Sequence, residues 1–591
     1  MDFGSTATEN GVGFALWAPD ARAVSVIVEG KEYHLTRRSD GFHAGEVRGA
    51  RPGDLYLYHV DGALDVPDPA SRFQPFGLPG PSQVVDPGTY QWRRGSPDLP
   101  WEEAVIWEAH VGTATPEGTF AALAGCLPDL RRLGVTALEL MPVAERPGKR
   151  NWGYDGVLPF APHSTYGTPD DLKGLIDEAH GFSLIVLLDV VYNHFGPAGN
   201  HLGAYAKSFF AADGCTPWGT VLNWEGPEAA PVRRFFIDNA LYWLNEYRFD
   251  GLRFDAVHHI RDASRIHFLD ELVDVIRRET AGRQIHLILE NEANHAHRLN
   301  RDTTGTPRTY TAQWNDDIHN AWHVLLSGET DGYYEDFVDA PIERLARALS
   351  EGFSYQGEIS RRLGVPRGEP SAHLPPQCFV AFLQNHDQIG NRAFGERLCH
   401  IIPEQRLALA RTALLLSPQI PMLFMGEEWS ASAPFLFFVD FPGDESLQEA
   451  VREGRRREFG RFPSFARPDI PDPNSWESFL SSRVDWSERA REPHARILAD
   501  TAELIVLRQR HVVPLLKSRY RGSTRLHPTP ETLDLAWHFE AGDLRLVANF
   551  GENPIPISDE GDWTTVRRTG PPSCAGYLPP WACIIFTNTS Q

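Results

Sequence analysis

From about residue 104 to residue 511 the chain repeats one rhythm: a short apolar run, a turn, an amphipathic helical pattern, then another apolar run. The apolar runs are VIWEAHVG, ALELMPV, SLIVLLDVVYNH, GLRFDAV, HLILENE, FVAFLQNHD and IPMLFMGEE, with a weaker one at AQWNDD. Between them lie helical patterns such as TFAALAGCLPDLRRLG, DDLKGLIDEAHG and SRIHFLDELVDVIRRET. Continuously apolar strands separated by helices require a parallel sheet covered on its outer face by those helices. Eight such strands predict an α/β fold, a (β/α)8 TIM barrel, closed by the helical pattern HARILADTAELIVLRQRH at 494–511. An open doubly wound sheet is disfavoured, because no GxGxxG follows the first strand.

The flanks read differently. VGFALWAP, AVSVIVEG, EYHLTR and DLYLYHV are short alternating strands between turn residues, and they predict an N-terminal β-sandwich over residues 1–95. The barrel is expected over 96–512. LDLAWHFE, LRLVANF and WACIIFTN predict a C-terminal β-domain over 513–591.

A formal charge of −23 repels phosphate backbones and anionic lipid, so neither a nucleic acid nor a membrane surface is an expected partner. A neutral substrate such as a sugar fits better. The N-terminal residues carry no basic-then-apolar signal pattern, and no stretch is long and apolar enough to span a bilayer. The six cysteines form no CxxC pair and read as buried thiols of a reducing, cytoplasmic protein.

Barrel chemistry gathers at the C-terminal ends of the strands. Four carboxylates fall there: Asp189, Asp255, Glu290 and Asp387, accompanied by His194 and His386. Arg253 and Asp255 share one face of their strand, so the arginine is expected to hold the aspartate ionised and oriented. Paired carboxylates are the machinery of glycoside hydrolysis, one attacking and one protonating the leaving oxygen. Glu292 would share the face of Glu290, but Glu290 directly follows the apolar run and is preferred.

The segments DVVYNH (189–194), GLRFDAVHH (251–259), LILENE (287–292) and FLQNHD (382–387) resemble, in order and spacing, the four conserved regions of the α-amylase superfamily, glycoside hydrolase family 13. The resemblance implies Asp255 as nucleophile, Glu290 as general acid/base and Asp387 as the third carboxylate, gripping sugar hydroxyls. It also implies that His194, His386 and Tyr154 (in NWGYDG) contact the sugar, that Arg253 serves the nucleophile, and that Asp189 anchors its loop. Longer stretches, among them 107–120, 133–157, 190–202, 232–244, 311–329 and 421–429, resemble the branch of that family that splits maltooligosyltrehalose into trehalose and a maltooligosaccharide. Region three departs from that branch: Glu290-Asn291-Glu292 stands where its members carry Glu-Ser-Asp. A glucan-branching transferase would use the same carboxylates, and a non-catalytic carbohydrate-binding barrel is a remote alternative.

Retaining hydrolysis needs no metal or other cofactor, and none is expected, although Asn193 matches a calcium-binding position of many α-amylases. Among the loop tryptophans Trp152, Trp218, Trp224 and Trp429, a core role is favoured for any one, with Trp218 the best candidate for sugar contact. Glu427 and Glu428 either bind sugar or cap the last strand.

Overall fold

The computed structural model describes residues 3–216, 219–459, 470–526, 529–557, 562–571 and 576–589. Its centre is a closed barrel of eight strands in sequence order, every neighbouring pair parallel. The strands are β1 (Ile106–Ala109), β2 (Ala137–Leu140), β3 (Ile185–Val190), β4 (Gly251–Phe254), β5 (His286–Leu289), β6 (Ala312–Trp314), β7 (Phe379–Ala381) and β8 (Ile420–Phe424). The weak run at AQWNDD is β6, so all eight expected strands are present.

Alternation along each strand sorts its side chains between two cores. Ile106, Ala137, Ile185, Leu187, Ile288, Trp314, Val380 and Met422 point inward and fill the barrel. Trp107, Leu138, Leu140, Val186, Leu188, Leu252, Leu287 and Leu289 point outward against the helices. The inward positions end, at the top of the barrel, in Glu108, Glu139, Asp189, Asp255 and Glu290. The apolar plug below and the polar layer above are thus two heights of one register.

Local chemistry explains the covering helices. Pro169–Gly181 starts with a full capping box between Thr168 and Asp171 and a proline in its first turn. Asp316–Ser327 is capped by Asn315, whose side chain accepts from Ile318 N. Glu404–Leu416 is buried nearly all round, because β-structure from the C-terminal region covers the face turned away from the barrel. The closing helix spans His494–His511, as expected.

The N-terminal strands form two antiparallel sheets. Phe14 of one packs on Tyr56 of the other, ring centroids 4.9 Å apart. The C-terminal region is a five-stranded antiparallel sheet. Trp537 from that sheet donates to Leu349 O at 3.0 Å, tying it to the barrel helix Pro341–Glu351. Among the described residues no helix is long and apolar enough to cross a membrane.

Gly251 opens β4 because nothing larger fits: a Cβ there would lie 2.1 Å from His286 O and 2.7 Å from a Leu187 methyl. Gly251→Ala is expected to cost about 1–3 kcal/mol by overpacking the barrel wall that carries Arg253 and Asp255. An unchanged thermal midpoint would show that β4 can move aside.

Candidate active site

Arg253 lies inside the barrel with no solvent exposure. Its guanidinium rests on the face of Trp314 at 4.0 Å and meets three carboxylates. Nη1 donates to Asp189 Oδ2 at 2.7 Å and to Asp255 Oδ1 at 3.0 Å, and Nη2 donates to Glu290 Oε2 at 2.6 Å. A buried cation is tolerable only when paired, and here three strands supply the pairs. β3, β4 and β5 are hydrogen-bonded neighbours with Asp189 and Arg253 in register, so a short reach suffices.

The chain turns sharply after Asp255. Ala256 adopts a left-handed conformation, φ 41°, unusual for a residue with a Cβ. The turn aims the Ala256 N–H at Glu290 Oε2, 2.9 Å away. Asn193 Nδ2 donates to Asp255 Oδ2 at 3.3 Å, and the other end of that amide faces His194 Nδ1 at 2.7 Å. The Asn193 amide is therefore committed to the nucleophile candidate and its histidine neighbour.

Tyr154 comes in from the loop after β2. Its hydroxyl donates to Asp189 Oδ2 at 2.7 Å and lies 2.8 Å from His386 Nε2, and the two rings stack at 5.2 Å. His386 Nδ1 lies 2.5 Å from Glu108 Oε1. Asp387, in the first turn of the helix His386–Gly390, is the most open of the set, its side chain 40% exposed against 13% for Asp255 and 18% for Glu290. Asp189, Asp255, Glu290, Asp387, Arg253, His194, His386 and Tyr154 thus meet at one mouth of the barrel.

The electrostatics follow from burial and crowding. Burial, then the neighbouring Glu290 charge, pushes Asp255 well above the carboxylate range, against Arg253. Burial would raise Glu290 too, but Arg253, His258 and the Ala256 N–H outweigh it and hold Glu290 low. The two carboxyls are thus driven in opposite directions, Asp255 up and Glu290 down. Arg253 contacts both carboxyls, and the shorter of the two guanidinium contacts goes to Glu290. Burial also raises Asp387, opposed by His386. His194 is lowered by burial to about 4 and is neutral. Burial alone would lower His386, but Asp387 and Glu108 offset it and hold the imidazole at about 9, cationic at neutral pH.

Other expected positions fall elsewhere. Glu292 turns away from the pair and meets Arg362 and His258. Trp152 stacks on Phe435, Trp224 stacks on Phe268, and Trp429 is wholly buried; these are core residues. Trp218 lies outside the described residues. Glu427 accepts from Phe424 N at 3.1 Å and Glu428 from Trp107 Nε1 at 3.0 Å, so both brace the end of β8. Sequence reasoning missed Glu108 and Trp314. Glu108 sits on an otherwise apolar strand and Trp314 ends the short strand Ala312–Trp314, so the only signal was a polar or bulky residue at an inward position.

Three family models match the chain. They are carbohydrate-binding module 48 (isoamylase N-terminal domain) over residues 2–73, the α-amylase catalytic domain over 95–210 and a domain of unknown function, DUF3459, over 521–585. The chain is 40% identical over 565 residues to the malto-oligosyltrehalose trehalohydrolase of Deinococcus radiodurans, covering 94% of this chain and 90% of that one. It is 42% identical over 561 residues to the enzyme of the same name from Arthrobacter ramosus, covering 93% and 94%. A crystal structure from Salmonella typhimurium, provisionally assigned as an α-amylase, matches with a TM-score of 0.94 and 46% identity over 99% of both chains.

The raised His386 stabilises the fold fully below about pH 6.5, and that contribution, about 3 kcal/mol, is lost as pH rises through about 9. The gap in thermal midpoint between the natural protein and His386→Gln is therefore expected to be wide near neutrality and to narrow above about pH 9. A gap that stays constant with pH would contradict a cationic His386.

Proposed function

We infer the activity from the premise that this chain belongs to the malto-oligosyltrehalose trehalohydrolase family of α-amylase-type glycoside hydrolases. It hydrolyses the α-1,4 bond joining a maltooligosaccharide to a terminal trehalose unit, releasing trehalose and the shortened maltooligosaccharide. The likeness to the trehalohydrolases along more than nine-tenths of the chain supports the substrate, and the observation that carries the retaining chemistry is the Arg253 fork, which keeps two carboxylates from neighbouring strands within the span of one guanidinium. A retaining mechanism needs that closeness, whereas inversion needs room for a water between them.

In the proposed sequence Asp255 attacks the anomeric carbon while Glu290 protonates the departing trehalose oxygen. Glu290 then takes a proton from water, which displaces Asp255 and restores the starting configuration. This requires the proton of the pair on Glu290. Rotation of Glu290 off Arg253 toward a glycosidic oxygen removes the cation that keeps it ionised. The same movement leaves Arg253 to Asp255 and Asp189, which favours the ionised nucleophile. Asp387, the most exposed of the set, offers acceptors to the sugar hydroxyls opposite the developing charge, while Tyr154, His194 and cationic His386, whose polar atoms are already paired, would present ring faces and edges to the same sugar.

The substrate is a neutral oligosaccharide, in keeping with the net charge of −23. We place the enzyme in the cytoplasm, a reading supported by the free thiols Cys126, Cys378, Cys399 and Cys583.

Product analysis tests the activity. Maltooligosyltrehalose is expected to give trehalose rapidly and plain maltooligosaccharide to react slowly, with Asp255→Asn reducing turnover by at least about 1,000-fold. Glucose or maltose as the main product, or new branch points formed from amylose, would overturn the assignment.

A further inference from the structure

Glu139 stands at the centre of β2, in the inward register of Ala137, and has no solvent exposure. Neither of its carboxyl oxygens has a hydrogen-bond partner among the described residues. An unsatisfied buried carboxyl is costly and calls for an explanation. None of the roles proposed above uses this residue.

The groups facing it narrow the explanation. Across the sheet Glu139 is in register with Glu108 on β1 and Leu187 on β3, and Asp189 follows two residues after Leu187 on the same inward face. Beyond burial itself, the charged groups that act on it most strongly are Glu108, Asp189, Arg253 and His386. Arg253 and His386 are already committed, the first to Asp189, Asp255 and Glu290, the second to Glu108 and Tyr154. An ionised Glu139 would therefore lie between two carboxylates with no cation of its own. A neutral carboxylic acid differs in kind, because it brings one O–H donor.

Acceptors for that donor are few. Glu108 spends Oε1 on the His386 ring and Oε2 on the His386 backbone N–H. Asp189 spends Oδ2 on Arg253 and Tyr154, but its Oδ1 is buried and without a partner among the described residues. One orphaned donor and one orphaned acceptor thus share the same wall of the barrel.

We propose that Glu139 is a positioning residue that donates its carboxyl hydrogen to Asp189 Oδ1 and so fixes the carboxylate on which both Arg253 and Tyr154 turn. No substrate contact is involved; Glu139 acts through Asp189 on the orientation of the Arg253 fork. The proton stays on Glu139, since its transfer to Asp189 would weaken the Arg253 contact.

Infrared spectroscopy and kinetics on the full chain test this. The difference spectrum of natural protein minus Glu139→Gln is expected to contain the carbonyl band of a neutral carboxylic acid, and Asp189→Asn is expected to shift that band. Glu139→Gln, which keeps a donor, should hold kcat for trehalose release within a few-fold. Glu139→Leu, which has no donor, should lower kcat by about 10- to 100-fold with little change in KM. The kinetic arm rests on the activity proposed above; the infrared arm does not, and it stands even if the leucine variant fails to fold. No neutral-acid band in the difference spectrum, a band that ignores Asp189→Asn, or full kcat in Glu139→Leu would each overturn the proposal.

Discussion

One buried guanidinium organises this molecule. Arg253 is wholly enclosed, seated on Trp314 and bonded to carboxylates from three successive strands. A lone cation at that depth would be prohibitively costly, and three adjacent carboxylates without it equally so. Each makes the other possible, but the charges do not balance. One arginine and one cationic histidine face Glu108, Asp189, Asp255, Glu290 and Asp387, with Glu139 behind them. The excess is relieved by holding protons, and where those protons sit determines which group is acid and which is nucleophile. In the proposed reaction the two carboxyls on one fork exchange the roles of proton holder and anion.

The barrel is what lets this arrangement persist. Its inward register buries an apolar plug of Ile106, Ile185, Leu187, Ile288 and Met422 below the polar layer. The wall is tight enough that β4 must begin with a glycine. Loops then bring the remaining partners, Tyr154 from the β2 excursion and His194 from the loop after β3. His386 and Asp387 lie on a short helix that Asn385 caps by accepting from Asp387 N. The strands thus set the carboxylate positions, while the loops supply the residues proposed to grip a sugar.

Much of this was legible from residues alone, for a physical reason. Strands buried on both faces must be continuously apolar, so a charged residue at the end of such a run, as in LIVLLD, GLRFD or HLILE, stands out. Even the short β6 showed through AQW. Some polar or glycine-bearing strands of the flanking sheets were not legible. Phe42–Arg48, with Gly45 and Glu46 in its middle, and the half-exposed Tyr520–Arg525 and Thr564–Arg568 lack the alternation that marks a strand. Nor were Glu108 and Glu139, because each is one polar residue within an apolar run, and a partner such as His386, 278 positions from Glu108, is visible only in three dimensions. The way Arg253 divides its contacts between Asp255 and Glu290 was also hidden. It depends on which carboxyl reaches the nearer guanidinium nitrogen, a matter of tenths of an ångström.

The claim that Asp255 is the group captured by the sugar can be examined directly. A maltosyl fluoride needs no acid to expel its leaving group, and a Glu290→Gln chain lacks the base that would release the product of attack. Incubated together and digested, they are expected to yield a peptide carrying one maltosyl unit esterified to Asp255. A sugar found on Asp387 or Asp189 instead, or rapid inverted hydrolysis with no adduct, would contradict the account.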